Sequence, residues 1–587
     1  MSPAAKYPRP PASRAARPTP HAPRGRGAFV RRGALAALIG LGLCPQLPAL
    51  ASPPQTQPPA SATEPESAPE SAPASAPAPT TNDLSVGFAG FMASVDTWDL
   101  EAAGRRRDAL TDPRERQLAT GIIAIYAARY PEAQSVLSGV VAGASTASQD
   151  GVTGRAAYYL DVARGAQLAL GDATTLRSDD GRFEAVFADP RDELLAPYLF
   201  EAMAAAYDEL GEDIGVHPDH PIRFEIYDAP GKLALVTPLT LENIYTTGTV
   251  GICKYRRIMM ISPRVMLFGY GWLDTAVHEY VHYLVTMRSN NAAPVWMQEG
   301  LAKLMETRWR EPNATQQLEP GIRRLLFEAL EADELVTLEQ MHPSVAMLPS
   351  QELAALAYAE AETMLGLLEE KRGPTALAAV LDDVAGGVDA KQAFADAWGD
   401  EFEAFFAVWK TTMRSRTAGA ASSGPLAGMA FRDGDEDPGE DPSLHGDVFS
   451  HLGGGKARKH ARLGVLLSLR GHTAAAVIEY EQARAADRSA RNDPKLARRL
   501  GELYLELDRA AEALPLLLIA AADDPDNPNL AAAEGRARRL TGDDAGARLA
   551  LARAVRQNPF IPSLHCDLAA LAEDSVTAAH ERALCME

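Results

Sequence analysis

Two histidines four residues apart bracket a glutamate in the stretch His278-Glu279-Tyr280-Val281-His282. On a helix this spacing puts both imidazoles on one face, where they can hold one metal ion. Glu279, beside the first of them, is placed to take a proton from a water held at the metal. Glu299 follows in Trp296-Met297-Gln298-Glu299-Gly300-Leu301-Ala302. A carboxylate on a later helix would complete three protein ligands and leave a fourth position open, which separates a catalytic site from a closed structural one. Glu306 is the fallback for that third ligand.

These side chains need helices to present them. Trp272 to Val277 and Tyr283 to Val285 put apolar residues on both sides of the motif. That reads as a buried helix, with Asp274 or Thr275 as its N-cap. Buried imidazoles and a carboxylate need partners, and a metal supplies them. Pro294 stands where a second helix would begin, which places Glu299 in its first turns. Val285 and Arg288 occupy positions where a third-histidine pattern needs Gly and His, and the next histidine, His342, precedes a proline.

Residues 270–310 therefore resemble the gluzincin metallopeptidases, and Val295 to Ala302 is similar to the glutamate helix of the peptidase-MA-like family. Bacterial members often join the protease domain to tetratricopeptide repeats. The resemblance spans about 180–415 and is specific around the two helices. It implies zinc held by His278, His282 and Glu299, with Glu279 as catalytic base. A thermolysin-type enzyme has an aspartate four residues after the glutamate ligand; here that position is Lys303, so the orientation of His278 must come from elsewhere. Tyr358 resembles a family tyrosine at the start of a long helix. It stands either as an oxyanion-stabilising phenol or as an ordinary half-buried helix residue.

The expected domain is α+β and zincin-like, spanning 181–415, with a small sheet, the motif helix and a helical second lobe. Leu194–Leu210 reads as an amphipathic helix. Ile222–Tyr227, Thr247–Cys253 and Arg257–Ser262 read as strands. The last two form a hairpin just before the motif helix, where a gluzincin places the edge strand that pairs with an extended substrate. Thr247 to Gly251 lacks the acidic signature of the gluzincin aminopeptidases, which favours an endopeptidase. Helices are expected from about 354 to 373 and from 402 to 413.

Around this domain the chain of 587 residues divides further. Residues 84–180 read as helical, with a degenerate repeat pair or a plain helical prelude as alternatives. Past 456 a 34-residue period is visible in Gly501/Gly535 and Pro525/Pro559, preceded by Gly464, Ala475, Tyr480 and Pro494. That is the tetratricopeptide period, and it predicts an α-solenoid over 456–587 that binds a protein partner or docks on its own protease domain. Residues 52–83 (Pro, Ala and Ser-rich) and 416–455 read as linkers. The acidic run Asp433–Asp437 fits a solvated linker, because Pro438 replaces the glycine a calcium loop needs.

The N-terminus reads as an export signal over 1–51. Arg24, Arg26, Arg31 and Arg32 precede an uncharged run from Ala34 to Leu43, and Ala49-Leu50-Ala51 offers a cleavage site. Periplasmic or extracellular placement follows. Cys44 is an alternative point of lipid attachment, although Leu43 before it fits that pattern poorly. A net charge of −21 disfavours nucleic acid and anionic membranes as partners. No apolar run reaches the ~20 residues of a transmembrane helix. Cys566 and Cys585 stand as a disulfide or as two free thiols, and Cys253 as a buried apolar residue. The expectation is an exported zinc metallopeptidase acting on peptides or proteins. Its rivals are a metal-binding relic serving as a repeat scaffold, and an amidase of cell-wall peptides.

Overall fold

The computed structural model describes residues 84–143, 151–312, 318–418, 449–452, 455–486 and 488–585. The segments read as an export signal (1–51) and as a linker (52–83), and most of the one read as a linker over 416–455, lie outside the described residues. At the centre is a five-stranded sheet: β1 Thr174–Arg177, β2 Phe183–Phe187, β3 Ile222–Tyr227, β4 Gly251–Lys254 and β5 Arg257–Ile261, in the order β1-β2-β3-β5-β4. The β2-β3 and β3-β5 pairs are parallel, while β1 and β4 run antiparallel at the two edges.

Central strands covered on both faces lose the alternation that marks a half-buried strand. β5 shows this, since all five of its residues are buried. Ile258 and Met260 face the motif helix Trp272–Arg288, whereas Met259 and Ile261 face the N-terminal helices between Val86 and Ala169. The first residue of β5, Arg257, also points to that rear layer. It donates to the Ile125 carbonyl (2.7 Å), lies over the Tyr130 ring and sits 3.3 Å from the buried Glu225 of β3. Glu225 in turn accepts from Tyr130, Tyr227 and Arg223. The N-terminal helices are thereby bonded to the back of the sheet.

Several sequence expectations need correcting. β1 falls within the span read as helical, and the sheet starts before residue 181. The expected strand over Thr247–Cys253 begins only at Gly251, because Leu241–Thr247 is a helix. The Thr240/Asn243 capping box starts it and Gly248, at φ +71°, stops it. The Leu194–Leu210 helix runs from Ala196 to Ile214. The motif helix has Gly271 at its N-cap, with no side-chain cap. Asp274 sits in its first turn and instead accepts from the Trp309 indole (2.9 Å) and from Arg310. Cys253 is half-buried rather than fully buried.

Past residue 455 come antiparallel helix pairs, among them Lys456–Ser468 with Thr473–Ala486, Pro494–Glu506 with Ala510–Asp523, and Pro528–Leu540 with Asp544–Gln557. One contact recurs in them. A Cβ on Gly464, Gly501 or Gly535 would run into Tyr480, Leu517 or Leu551, each sixteen residues later on the partner helix. Gly121 and Leu137 repeat it in the pair Pro113–Tyr126 and Tyr130–Ala142. Each glycine lets two helices cross closely where a side chain would hold them apart.

The last pairs pack beside the start of the motif helix. Trp272, the first residue of the motif helix, donates its indole N–H to the Val555 carbonyl (2.9 Å), and the Tyr270 amide donates to the Gln557 carbonyl (2.9 Å). Gly269, at φ +75°, has no room for a Cβ beside the Gln557 carbonyl. Tyr198 donates to Glu581 (2.9 Å). Cys566 and Cys585 form a disulfide, which settles the two readings of that pair. Among the described residues, no helix is long and apolar enough to cross a membrane.

Candidate metal centre

The motif helix crosses the front of the sheet with its middle turns buried, so His278 and Glu279 are only 9% and 5% exposed. The helix Val295–Met305 follows Pro294 and carries Glu299 on its second turn. Between them they bring three donor atoms together: His278 Nε2 to His282 Nε2 is 3.2 Å, His282 Nε2 to Glu299 Oε2 is 3.2 Å, and His278 Nε2 to Glu299 Oε2 is 3.5 Å. Bonds of about 2.0–2.1 Å in a tetrahedral shell put neighbouring donors about 3.3–3.4 Å apart. The triangle therefore fits one tetrahedral ion of that size. Among the described residues, His278, His282 and Glu299 are the group with converging ligand atoms.

The other ring nitrogens fix the histidines. His278 Nδ1 lies 3.0 Å from Glu306 Oε2, and His282 Nδ1 lies 3.3 Å from the amide oxygen of Gln298. A proton on each Nδ1 leaves each Nε2 lone pair free for the ion. Glu306, the fallback ligand, therefore stands behind His278 and outside the ligand triangle. The reason is Lys303, whose ammonium holds Glu306 Oε1 at 2.5 Å. Lys303 and Glu306 together occupy the supporting place that the sequence left empty. The clue was present: Glu306 is seven residues after Glu299, two turns along the same helix face.

The electrostatics favour positive charge between these groups. Burial pulls the His278 pKa down, but Glu299 and Glu306 more than reverse this and raise it to about 10. Burial pushes Glu299 up, yet His282 and His278 bring it down to about 2. Carboxylates that favour a proton on the imidazoles also favour a divalent cation among them. Glu279 behaves differently. Burial raises its carboxyl above the ordinary glutamate value, with the two histidines opposing, and its Oε2 has no hydrogen-bond partner. The Cys253 backbone N–H also bonds to this carboxylate, and a raised carboxylate with one oxygen free suits general base chemistry.

Tyr358 comes from the helix Gln351–Arg372, its ring centroid 6.1 Å from that of His278. Burial and nearby carboxylates keep its phenol protonated, and so a hydrogen-bond donor. Gly300, next to Glu299, lets its helix pack against Ala361 and Leu365 of the Tyr358 helix. His278, Glu279, Lys303, Glu306 and Tyr358 line a cleft of about 990 Å³. One rim is Thr247 to Gly251, leading into edge strand β4; the facing wall is the Tyr358 helix from Ala354 to Glu370. Sequence reasoning missed Gln298, Gly251 and Gly300. Gln298 alone carried a signal, as the residue before the third ligand.

Residues 202–415 match the family model described as Peptidase MA superfamily. The matched span holds the donor triangle, Glu279 and Tyr358, and it supports a zincin-like metallopeptidase. No curated protein matches the chain. Among solved structures, native yeast LTA4 hydrolase aligns at 11% identity over 70% of this chain and 67% of its own, with a TM-score of 0.28. A likeness that loose carries no weight for fold or activity.

Proposed function

We propose that the chain is an exported zinc endopeptidase, with His278, His282 and Glu299 as ligands and Glu279 as general base. The observation that carries this reading is the donor triangle with Glu279 beside it, His278 and Glu279 facing an open cleft and Glu279 Oε2 without a hydrogen-bond partner. Zinc bound there supplies Lewis acidity, which acidifies a water and polarises the scissile carbonyl. Glu279 takes the proton from the attacking water and passes it to the leaving amine. Tyr358 supplies a neutral O–H toward the oxyanion that develops on the carbonyl. Glu306 and Gln298 keep both imidazoles in the tautomer and orientation that binding requires.

Substrate lies extended along β4, whose outer edge has no strand partner, and is held by main-chain hydrogen bonds. The facing wall from Ala354 to Glu370 spans about 24 Å at 1.5 Å per helical residue, room for roughly seven extended residues. A groove of that length fits internal cleavage of a chain better than removal of a terminal residue. The helix pairs after residue 455 are tetratricopeptide-like repeats that offer a surface to a protein partner. The Cys566–Cys585 disulfide supports an oxidising compartment, in keeping with export.

The test is Glu279→Gln. The variant should retain one zinc per chain and lose about 10²–10⁴-fold in hydrolysis of casein or a peptide library. Unchanged hydrolysis, or a wild-type protein that binds zinc and cleaves nothing, rejects the assignment.

A further inference from the structure

The edge strand beside the motif helix does more than border the cleft. Gly251, the first residue of β4, pairs with Met260 of β5 in the ladder. Its backbone is ordinary, since its φ is not among the positive ones. Conformational freedom is therefore not what calls for glycine here. Space is. A Cβ at Gly251 would lie 2.8 Å from Glu279 Oε1, 3.0 Å from Glu279 Cγ and 3.1 Å from the Thr275 methyl. Thr275 is one turn before Glu279 on the same helix face, so both press on the same spot of the strand.

None of the three ligand side chains is among those nearest atoms. Ordinary contact starts near 3.4 Å, so an added methyl would crowd Glu279 most, at two atoms, and the Thr275 methyl less. The Glu279 stem is confined between β4 and its own helix, with only 5% exposure. It has little room to yield except toward the cleft or the metal point.

We propose that Gly251 is a positioning residue: its bare Cα forms the floor against which the Glu279 carboxylate is set. The strand thereby places the base as well as the substrate. This deepens the peptidase reading and rests on it, because it concerns where the base sits when it takes the proton. A displacement of about 1 Å at a reacting group can cost on the order of a hundredfold in rate.

The experiment is Gly251→Ala in the full chain, loaded with zinc and assayed on a peptide that the wild type cleaves. The expected result is a fall in kcat of about ten- to a hundredfold, with KM within about twofold and one zinc retained per chain. A crystal structure of the variant should show Glu279 moved and His278, His282 and Glu299 in place, a readout that does not depend on activity. An unchanged kcat overturns the proposal. So does a rise in KM alone, which would make Gly251 a substrate contact, or a joint loss of zinc and melting temperature, which would make it a fold residue. If the wild type cleaves no peptide, the peptidase reading fails, while the position of Glu279 in the variant still decides the role of Gly251.

Discussion

Replacing Gly300 with alanine should weaken metal binding without touching a ligand. The added Cβ would meet Leu365 Cδ1 at 2.5 Å, the Ala361 carbonyl oxygen at 2.7 Å and its carbon at 2.8 Å. The leucine methyl can rotate away, but the carbonyl is fixed in its helix. Reaching ordinary contact near 3.4 Å from 2.7 Å requires the two helices to part by roughly 0.7 Å at that point. Overpacking of this kind costs about 1–3 kcal/mol. Glu299 is the preceding residue, and a metal site tolerates only about 0.2 Å in its distances. If the cost falls on the ion, 1–3 kcal/mol is about a 5- to 150-fold loss in affinity. Chelator competition measures the zinc Kd, and a thermal melt of the metal-free protein measures the packing cost. A lower melting temperature with an unchanged Kd would show that the helix shift does not reach Glu299. No change in either would refute the packing argument itself.

Glu306→Ala should weaken zinc binding about 10- to 100-fold in the same competition assay, by freeing His278 to rotate; an unchanged Kd would show that Glu306 does not orient the ligand. Burial pushes the Glu225 carboxyl up, but Arg257 and Arg223 more than offset this and leave its pKa below the ordinary glutamate value. A lowered folded-state pKa stabilises fully above the unfolded value of about 4.3 and is lost as pH falls through the folded one. Glu225→Gln should therefore cost about 3–5 kcal/mol near pH 7, and denaturant melts should show the gap to wild type closing in acid; a gap independent of pH refutes this. Trp272→Phe removes the hydrogen bond to Val555 and should lower stability by at least about 1 kcal/mol in a denaturant melt. Cys566→Ser should cost about 3 kcal/mol, and added reductant should then have no further effect on its melting temperature.

The converging His278, His282 and Glu299 were legible because helix geometry translates directly into sequence spacing: the two histidines must share a face, and Pro294 announces the helix of Glu299. The β3 strand and the β4–β5 hairpin were legible through apolar patterning. Glu306 was visible as a carboxylate at the right period, but its role hangs on Lys303, whose ammonium competes for it across one turn. The Leu241–Thr247 helix was missed because a capping box needs only Thr240 and Asn243, which also suit a turn. β1 was missed because its four residues are exposed or half-buried and lack an apolar face. The bonding of the N-terminal helices to the sheet rests on Arg257 and Glu225, far apart in sequence, where no local pattern reports the pairing. Asp274 looked like a cap because acidic residues favour helix starts; its partners, Trp309 and Arg310, come from beyond the next helix.

The indole bond from Trp272 to the Val555 carbonyl spans 283 residues of chain. Synthesis at about 5–20 residues per second separates the emergence of those two residues by roughly a quarter of a minute to a minute. Throughout that interval the helix carrying both histidines lacks the anchor at its first residue. Its final seating is thus tied to synthesis at least as far as Val555.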